Sequence, residues 1–151
     1  MAFGKQILPW GQLISLRENN FMFNLYDKSY TFGRGPTADK RFTSKHFDQN
    51  LLPCISNLHF RLKQDLNEIT LQNLSTNGTY INGELVFKNE IRTLNNYDEI
   101  SLSVPNRKAF VYHYVHENSI SYPVKIYDKY FISKSIGHGA SGEVRLAFLK
   151  V

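Results

Sequence analysis

Apolar and polar residues alternate through Leu58-His59-Phe60-Arg61-Leu62-Lys63. A period of two is the mark of a strand with one face on a core, here Leu58, Phe60 and Leu62 against His59, Arg61 and Lys63. Ile69 and Leu71 continue the inward alternation on the next strand. Short apolar stretches broken by polar turns begin at Gly11–Arg17 and recur along the chain, and their spacing predicts many strands and few helices. The expected class is all-β. Phe21–Leu25 and Ser29–Phe32 flank Tyr26-Asp27-Lys28, which suits a tight hairpin, and Asn82-Gly83 between Tyr80-Ile81 and Glu84-Leu85 suits a two-residue hairpin turn. Ile100, Leu102 and Val104 alternate with Ser101 and Ser103, and Ala109–His116 is apolar on both faces, as in a central strand. These stretches close a β-sandwich of mainly antiparallel strands. Between them, Thr37–Pro53 is polar and basic without a sustained period, so it is expected as a long surface loop with one short strand near Arg41-Phe42.

Composition narrows the function classes. The chain has 151 residues, 42% of them hydrophobic and 14% aromatic, which suits one globular domain and a remnant. The formal charge of +5 favours anionic partners, but lysines and arginines are scattered, so the field permits nucleic acid without indicating it. Cys54 is the only cysteine, which excludes an intrachain disulfide and a cysteine zinc cage and fits a reducing compartment. With no stretch of signal-peptide or membrane-span character, a soluble intracellular protein is expected. His113 and His116 would point to opposite faces of a strand, so no metal site is expected. No Gly-x-Ser-x-Gly elbow or paired acids suggest a hydrolase.

Three polar turns carry chemistry: Gly33-Arg34-Gly35, Ser56-Asn57-Leu58-His59 and Ser75-Thr76-Asn77-Gly78-Thr79. A phosphate monoester brings roughly −1.5 to −2 charges and three acceptor oxygens, and needs a fixed cation with neutral donors around it. Arg34 offers a rigid fork, Ser56 a hydroxyl, and Asn57 and Asn77 amides. His59, three residues from Ser56, is placed to tie down loop backbone and fix Ser56. Taken singly, each feature is ordinary, whether a solvated arginine, a hairpin Asn-Gly or a structural histidine. Their order inside an all-β domain is not.

The set resembles the forkhead-associated (FHA) domain, a phosphothreonine-binding β-sandwich, over about Pro9 to His116. Pro9-Trp10-Gly11, Leu94-Asn95-Asn96 and Glu99-Ile100-Ser101-Leu102-Ser103, with a glycine-rich strand beyond, look like the checkpoint kinase 2 family. That resemblance implies that Arg34 and Ser56 bind phosphate, that Asn77 holds peptide backbone, and that Ser75 and Thr76 shape a pocket for the threonine methyl. Gly33, Gly78 and His59 then support the site. The chain departs at Asn57, where relatives carry a phosphate-touching lysine, and Lys40, Arg41 or Lys45 is expected to compensate. The resemblance also implies a nuclear protein of the DNA-damage response, recruited to phosphothreonine-containing partners or to a phosphorylated second copy of itself. Without a Ser-Gln or Thr-Gln dipeptide, this stretch is expected to be monomeric. The alternative reading is a single-stranded nucleic-acid-binding β domain, from basic residues near aromatics at Lys40-Arg41-Phe42 and Arg61.

The expected domains are 8–116 for the FHA sandwich, 117–129 for a linker, and 130–151 for the start of a kinase N-lobe. Tyr130–Ile136 reads as a strand, Gly137–Gly142 as a flexible turn and Glu143–Phe148 as a second strand. Gly137-x-Gly139-x-x-Gly142-x-Val144 also fits a dinucleotide fingerprint, but that one opens a helix, whereas period-two alternation continues here. Strand, turn and strand match the phosphate loop of protein kinases. The catalytic residues of a kinase are not within the 151 residues, so this stretch is expected to be inactive and to need no cofactor, with ATP and Mg²⁺ belonging to a parent kinase.

Overall fold

The computed structural model describes residues 8–17, 20–66 and 68–115, together with the backbone of strands 130–139 and 142–149. The expected linker 117–129 and His116 lie outside them. The strands are β1 (Gly11–Ser15), β2 (Met22–Leu25), β3 (Ser29–Gly33), β4 (Lys40–Arg41), β5 (Phe60–Asp65), β6 (Glu68–Asn73), β7 (Thr79–Ile81), β8 (Glu84–Val86), β9 (Ile91–Thr93), β10 (Glu99–Leu102), β11 (Lys108–Tyr114), β12 (Tyr130–Gly139) and β13 (Gly142–Leu149). One 3-10 turn spans Leu52–Cys54, and the described residues contain no α-helix.

A six-stranded sheet in the order β2-β1-β11-β10-β7-β8 and a five-stranded sheet in the order β4-β3-β5-β6-β9 form the sandwich. Pairing is antiparallel except between β3 and β4, which run parallel with Gly33 opposite Arg41. β11 is central, with Ala109, Phe110, Val111 and Tyr112 all buried, as its two apolar faces require. Asn82 and Gly83 form the β7–β8 turn at φ 52° and 83°, the conformation of a type I′ hairpin. β12 and β13 form a separate two-stranded sheet in which pairing runs to Gly139 opposite Gly142. Gly137-His138-Gly139 is thus paired strand, where a flexible turn was expected.

Three expectations are corrected. Phe21–Leu25 and Ser29–Phe32 are not a hairpin: β2 pairs with β1 in one sheet and β3 with β5 in the other. The connection crosses the sandwich because the Tyr30 hydroxyl accepts the N–H groups of Tyr26 and Asp27, both at 2.9 Å, and the Trp10 indole donates to the Asp27 carbonyl at 2.9 Å. The basic loop is also not purely surface, since Phe42, Phe47 and Leu51 are buried in the core. Phe42 stacks on Phe110 and meets Phe47 edge to face, within an aromatic cluster that includes a Phe32–Phe60 stack with centroids 4.7 Å apart. Finally, β5 starts only at Phe60, so the chain ahead of it has turned: His59 is fully buried and Leu58 exposed, the reverse of the inward Leu58 expected from alternation.

Candidate functional site

At the end of the sandwich where β3 leaves its sheet and β5 enters, four loops converge. Arg34 donates its N–H to the Ser56 carbonyl at 2.9 Å, and Gly35 donates to the Asn57 carbonyl at 3.0 Å. This close approach demands glycine. A Cβ on Gly33 would lie 2.0 Å from the Asn57 oxygen, and one on Gly35 would lie 2.7 Å from the Asn57 Cβ. The Arg34 loop is thereby locked to the Ser56 loop by backbone alone.

Arg34 is exposed, and its Nε donates to the Ile55 carbonyl at 2.9 Å. That bond fixes the plane of the guanidinium while its two terminal nitrogens have no protein acceptor among the described residues. Ser56 Oγ lies 2.6 Å from Ser75 Oγ, and Ser75 Oγ accepts the Asn77 N–H at 2.9 Å. With Ser75 Oγ already an acceptor, its own hydrogen is best used toward Ser56, which leaves the Ser56 hydrogen for a ligand.

His59 braces the same loop. Its Nδ1 accepts the Ser56 N–H at 3.0 Å, so the ring proton sits on Nε2 and is donated to the Gly78 carbonyl at 2.8 Å. Burial pushes the imidazole down to about 4, opposed by its bond to Gly78. The ring is therefore neutral at physiological pH and contributes positioning, not charge. Gly78 stands at φ +98°, where a side chain is strained, and its carbonyl also accepts the Ser103 N–H at 2.9 Å.

The structure brings Arg34, Ser56, Asn57, Ser75 and Asn77 to this one end. Ser75, buried, lies behind Ser56, whereas Thr76 is exposed on the loop. Asn77 Nδ2 donates to the Cys54 carbonyl at 2.9 Å, leaving its Oδ1 without a protein donor among the described residues. Asn57 is exposed, with only its carbonyl engaged by the site loops. None of the three expected compensating cations stands at position 57. The Lys40 ammonium lies 5.2 Å from the Tyr30 ring centroid, Arg41 Nε donates to the Arg34 carbonyl at 3.1 Å, and Lys45 is exposed on the loop beyond. Gly137, Gly139, Gly142 and Val144 belong to the β12–β13 hairpin. The described residues contain no cluster of three or more His, Cys, Asp or Glu able to hold a metal.

Sequence reasoning missed two parts. Ser103, at φ 65°, turns out of β10 and donates its hydroxyl to the Cys54 carbonyl at 2.6 Å, beside Asn77. Asn73, buried at 1% exposure, donates to the carbonyls of Ser75 and Val86 and accepts from Ser75 N–H and the Thr79 hydroxyl. A signal for Asn73 existed: it occupies an inward position two residues after Leu71, where an apolar residue belongs.

Comparison with known proteins agrees with this geometry. Residues 30–103 match the FHA domain family. The ovarian-specific serine/threonine-protein kinase Lok of Drosophila melanogaster is 38% identical over 135 residues, covering 86% of this chain and 28% of the kinase. Serine/threonine-protein kinase chk-2 of Caenorhabditis elegans is 31% identical over 150 residues, covering 94% of this chain and 31% of the kinase. The chain thus spans under a third of these curated relatives. Among solved structures, the N-terminal FHA domain of Saccharomyces cerevisiae Rad53p, in complex with a phosphothreonine peptide, superposes with a TM-score of 0.58 at 24% identity, covering 70% of this chain and 93% of that one. Residues 30–103 are accordingly a forkhead-associated domain, homologous to the FHA-bearing regions of these protein kinases.

Proposed function

We propose that the sandwich binds phosphothreonine peptides and that it does so as the recruiting module of a checkpoint kinase 2-like serine/threonine protein kinase. The observation that carries this reading is the oriented Arg34 fork with two terminal nitrogens unclaimed among the described residues, beside a Ser56 hydroxyl held 2.6 Å from Ser75 Oγ. A phosphate dianion needs that pairing of a fixed cation and a neutral donor. Asn77 Oδ1 is placed to hold the peptide backbone, and the complex recorded for the Rad53p domain supports the ligand class.

Beyond residue 129, the Gly137-x-Gly139-x-x-Gly142-x-Val144 hairpin is the phosphate-covering loop of a kinase N-lobe, for which the parent protein would supply the remaining machinery and use ATP and Mg²⁺. Recruitment then serves a nuclear DNA-damage response, either by docking on phosphorylated partners or by joining two copies of the kinase.

Titration of one peptide in phosphothreonine, phosphoserine and unmodified forms tests the core of this reading. Phosphothreonine should bind best and the unmodified peptide least, and Arg34→Ala should remove about 2–5 kcal/mol of binding, the cost of truncating one partner of a hydrogen-bonded charge pair. Equal binding of all three peptides overturns it. Binding of single-stranded nucleic acid that falls steeply with salt, together with indifference to phosphopeptide, would favour the alternative class.

A further inference from the structure

Arg41 has no assigned task, yet it stands at the site. No cis peptide occurs among the described residues, so the N–H and C=O of the Arg34–Gly35 peptide point in opposite directions. The N–H reaches the Asn57 carbonyl at 3.0 Å and the C=O reaches Arg41 Nε at 3.1 Å. Arg41 is therefore on the far side of the Arg34 loop from Asn57, and cannot replace a cation at position 57. It extends the cationic surface the other way.

Its geometry is that of a prepared anion receptor. The bond from Nε to a backbone carbonyl orients the guanidinium plane, as Ile55 does for Arg34, and the terminal nitrogens of Arg41 have no protein acceptor among the described residues. No carboxylate among the described residues forms an ion pair with it. The nearest acid in sequence, Asp39, turns its Oδ2 to the N–H and hydroxyl of Thr31 at 2.8 and 3.0 Å. Lys40 is turned onto the Tyr30 and Phe23 rings. Arg41 is exposed, so a ligand passing over Arg34 can reach it.

We infer that Arg41 is a specificity-determining residue, whose fork engages an anionic side chain flanking the phosphothreonine, a carboxylate or a second phosphate. This rests on the phosphothreonine reading of the Arg34 site. Arg41 Nε is bonded to the carbonyl of Arg34 itself, and in an extended ligand, at about 3.3 Å per residue, the nearest side chain on the same face as the phosphothreonine is two residues away. The contact therefore falls on the residue two positions from the phosphothreonine, on the flank that crosses the Arg34 loop away from Asn57. The preferred ligand carries a second negative group at that spacing.

The test uses a set of phosphothreonine peptides that differ at one position only, two residues before or two residues after the phosphothreonine, bearing alanine, aspartate or phosphoserine. Each is titrated against the wild-type chain and the Arg41→Gln and Arg41→Lys variants, with thermal unfolding to verify that each is folded. On one flank, an acidic residue should raise wild-type affinity about three- to tenfold over alanine, the gain of a charged hydrogen-bonded pair at a partly exposed site. Arg41→Gln should collapse that ratio to near one, and Arg41→Lys should retain part of it. A larger gain for phosphoserine than for aspartate marks a second phosphate as the source, and equal gains mark a carboxylate as sufficient. If the acid-to-alanine ratio is near one in the wild-type chain, or survives Arg41→Gln, the inference is overturned while the phosphothreonine reading stands. If no peptide binds and Arg34→Ala changes nothing, that underlying reading has failed and the inference falls with it.

Discussion

His59 shows how a single side chain sets the site without touching the ligand. With Nδ1 accepting from Ser56 and Nε2 donating to Gly78, protonation has nowhere to go without breaking the bond to Ser56. The folded ring titrates near 4, against about 6.5 when unfolded. Below pH 6.5 the unfolded chain therefore takes up a proton that the folded chain refuses, so stability is full above 6.5 and falls as pH drops toward 4, by roughly 3 kcal/mol from this residue. Urea unfolding at several pH values should show that loss in the wild-type chain and a shallower one in His59→Gln. As that variant could unfold outright, an NMR titration of the His59 ring provides a second check: a midpoint near 6.5 would contradict the burial argument. The sequence pattern singled out Arg34, Ser56 and a bracing His59, because each chemical type has few uses in a turn. It could not say which atoms are already spent. Asn77 reads as an amide donor, yet its Nδ2 is committed to Cys54, and Asn57 sits beside the Arg34 loop without a cation to offer.

At the scale of elements, period-two alternation was legible where one strand face is buried, as in β5 and β6. What it could not convey is which sheet a strand joins. Tyr26-Asp27-Lys28 has the length of a hairpin loop, but the Tyr30 hydroxyl captures two N–H groups that a hairpin would have paired, and the chain crosses between sheets. The hydroxyl belongs to a buried ring, and both of its bonds are partly buried. Tyr30→Phe is expected to cost about 1–3 kcal/mol, the loss of two such hydrogen bonds. It should lower the urea midpoint without changing the slope, because the folded surface is otherwise unaltered. An unchanged midpoint would mean that the crossing is held by the Trp10–Asp27 bond and packing alone. The Phe42–Ile55 stretch failed for a different reason. Its buried residues, Phe42, Phe47, Leu51 and Ile55, are spaced by five, four and four, which is no strand period, and the helix-like spacing of the last three runs into Pro53.

For the whole molecule, the loops of the candidate site and the stability of the sandwich share one residue. Asn73 ends β6 in the five-stranded sheet, and its amide spans to β7 and β8 in the six-stranded sheet through the Thr79 hydroxyl at 2.8 Å and the Val86 carbonyl at 2.8 Å. The remaining capacity goes to Ser75, whose N–H and carbonyl it bonds at 3.0 Å each. Two donors and two acceptor sites exhaust what an asparagine side chain has. Because Ser75 in turn holds Ser56 and receives Asn77, the inter-sheet tie and the ligand donors form one connected network. An FHA fold was legible from the turns and alternation, but this coupling was not, since it depends on two sheets meeting in space. Asn73→Ala should therefore strand four buried polar groups and cost more than about 3 kcal/mol of stability. Phosphothreonine-peptide affinity, measured at a temperature where the variant is still folded, should fall as well, because Ser75 loses the bonds that place Ser56. Asn73→Asp keeps the shape and the acceptors but loses both donors, so it should lose stability while retaining more affinity than the alanine variant. If Asn73→Ala unfolds at the wild-type urea midpoint, or is destabilised but binds peptide at full strength, the two functions are separate and the network does not couple them.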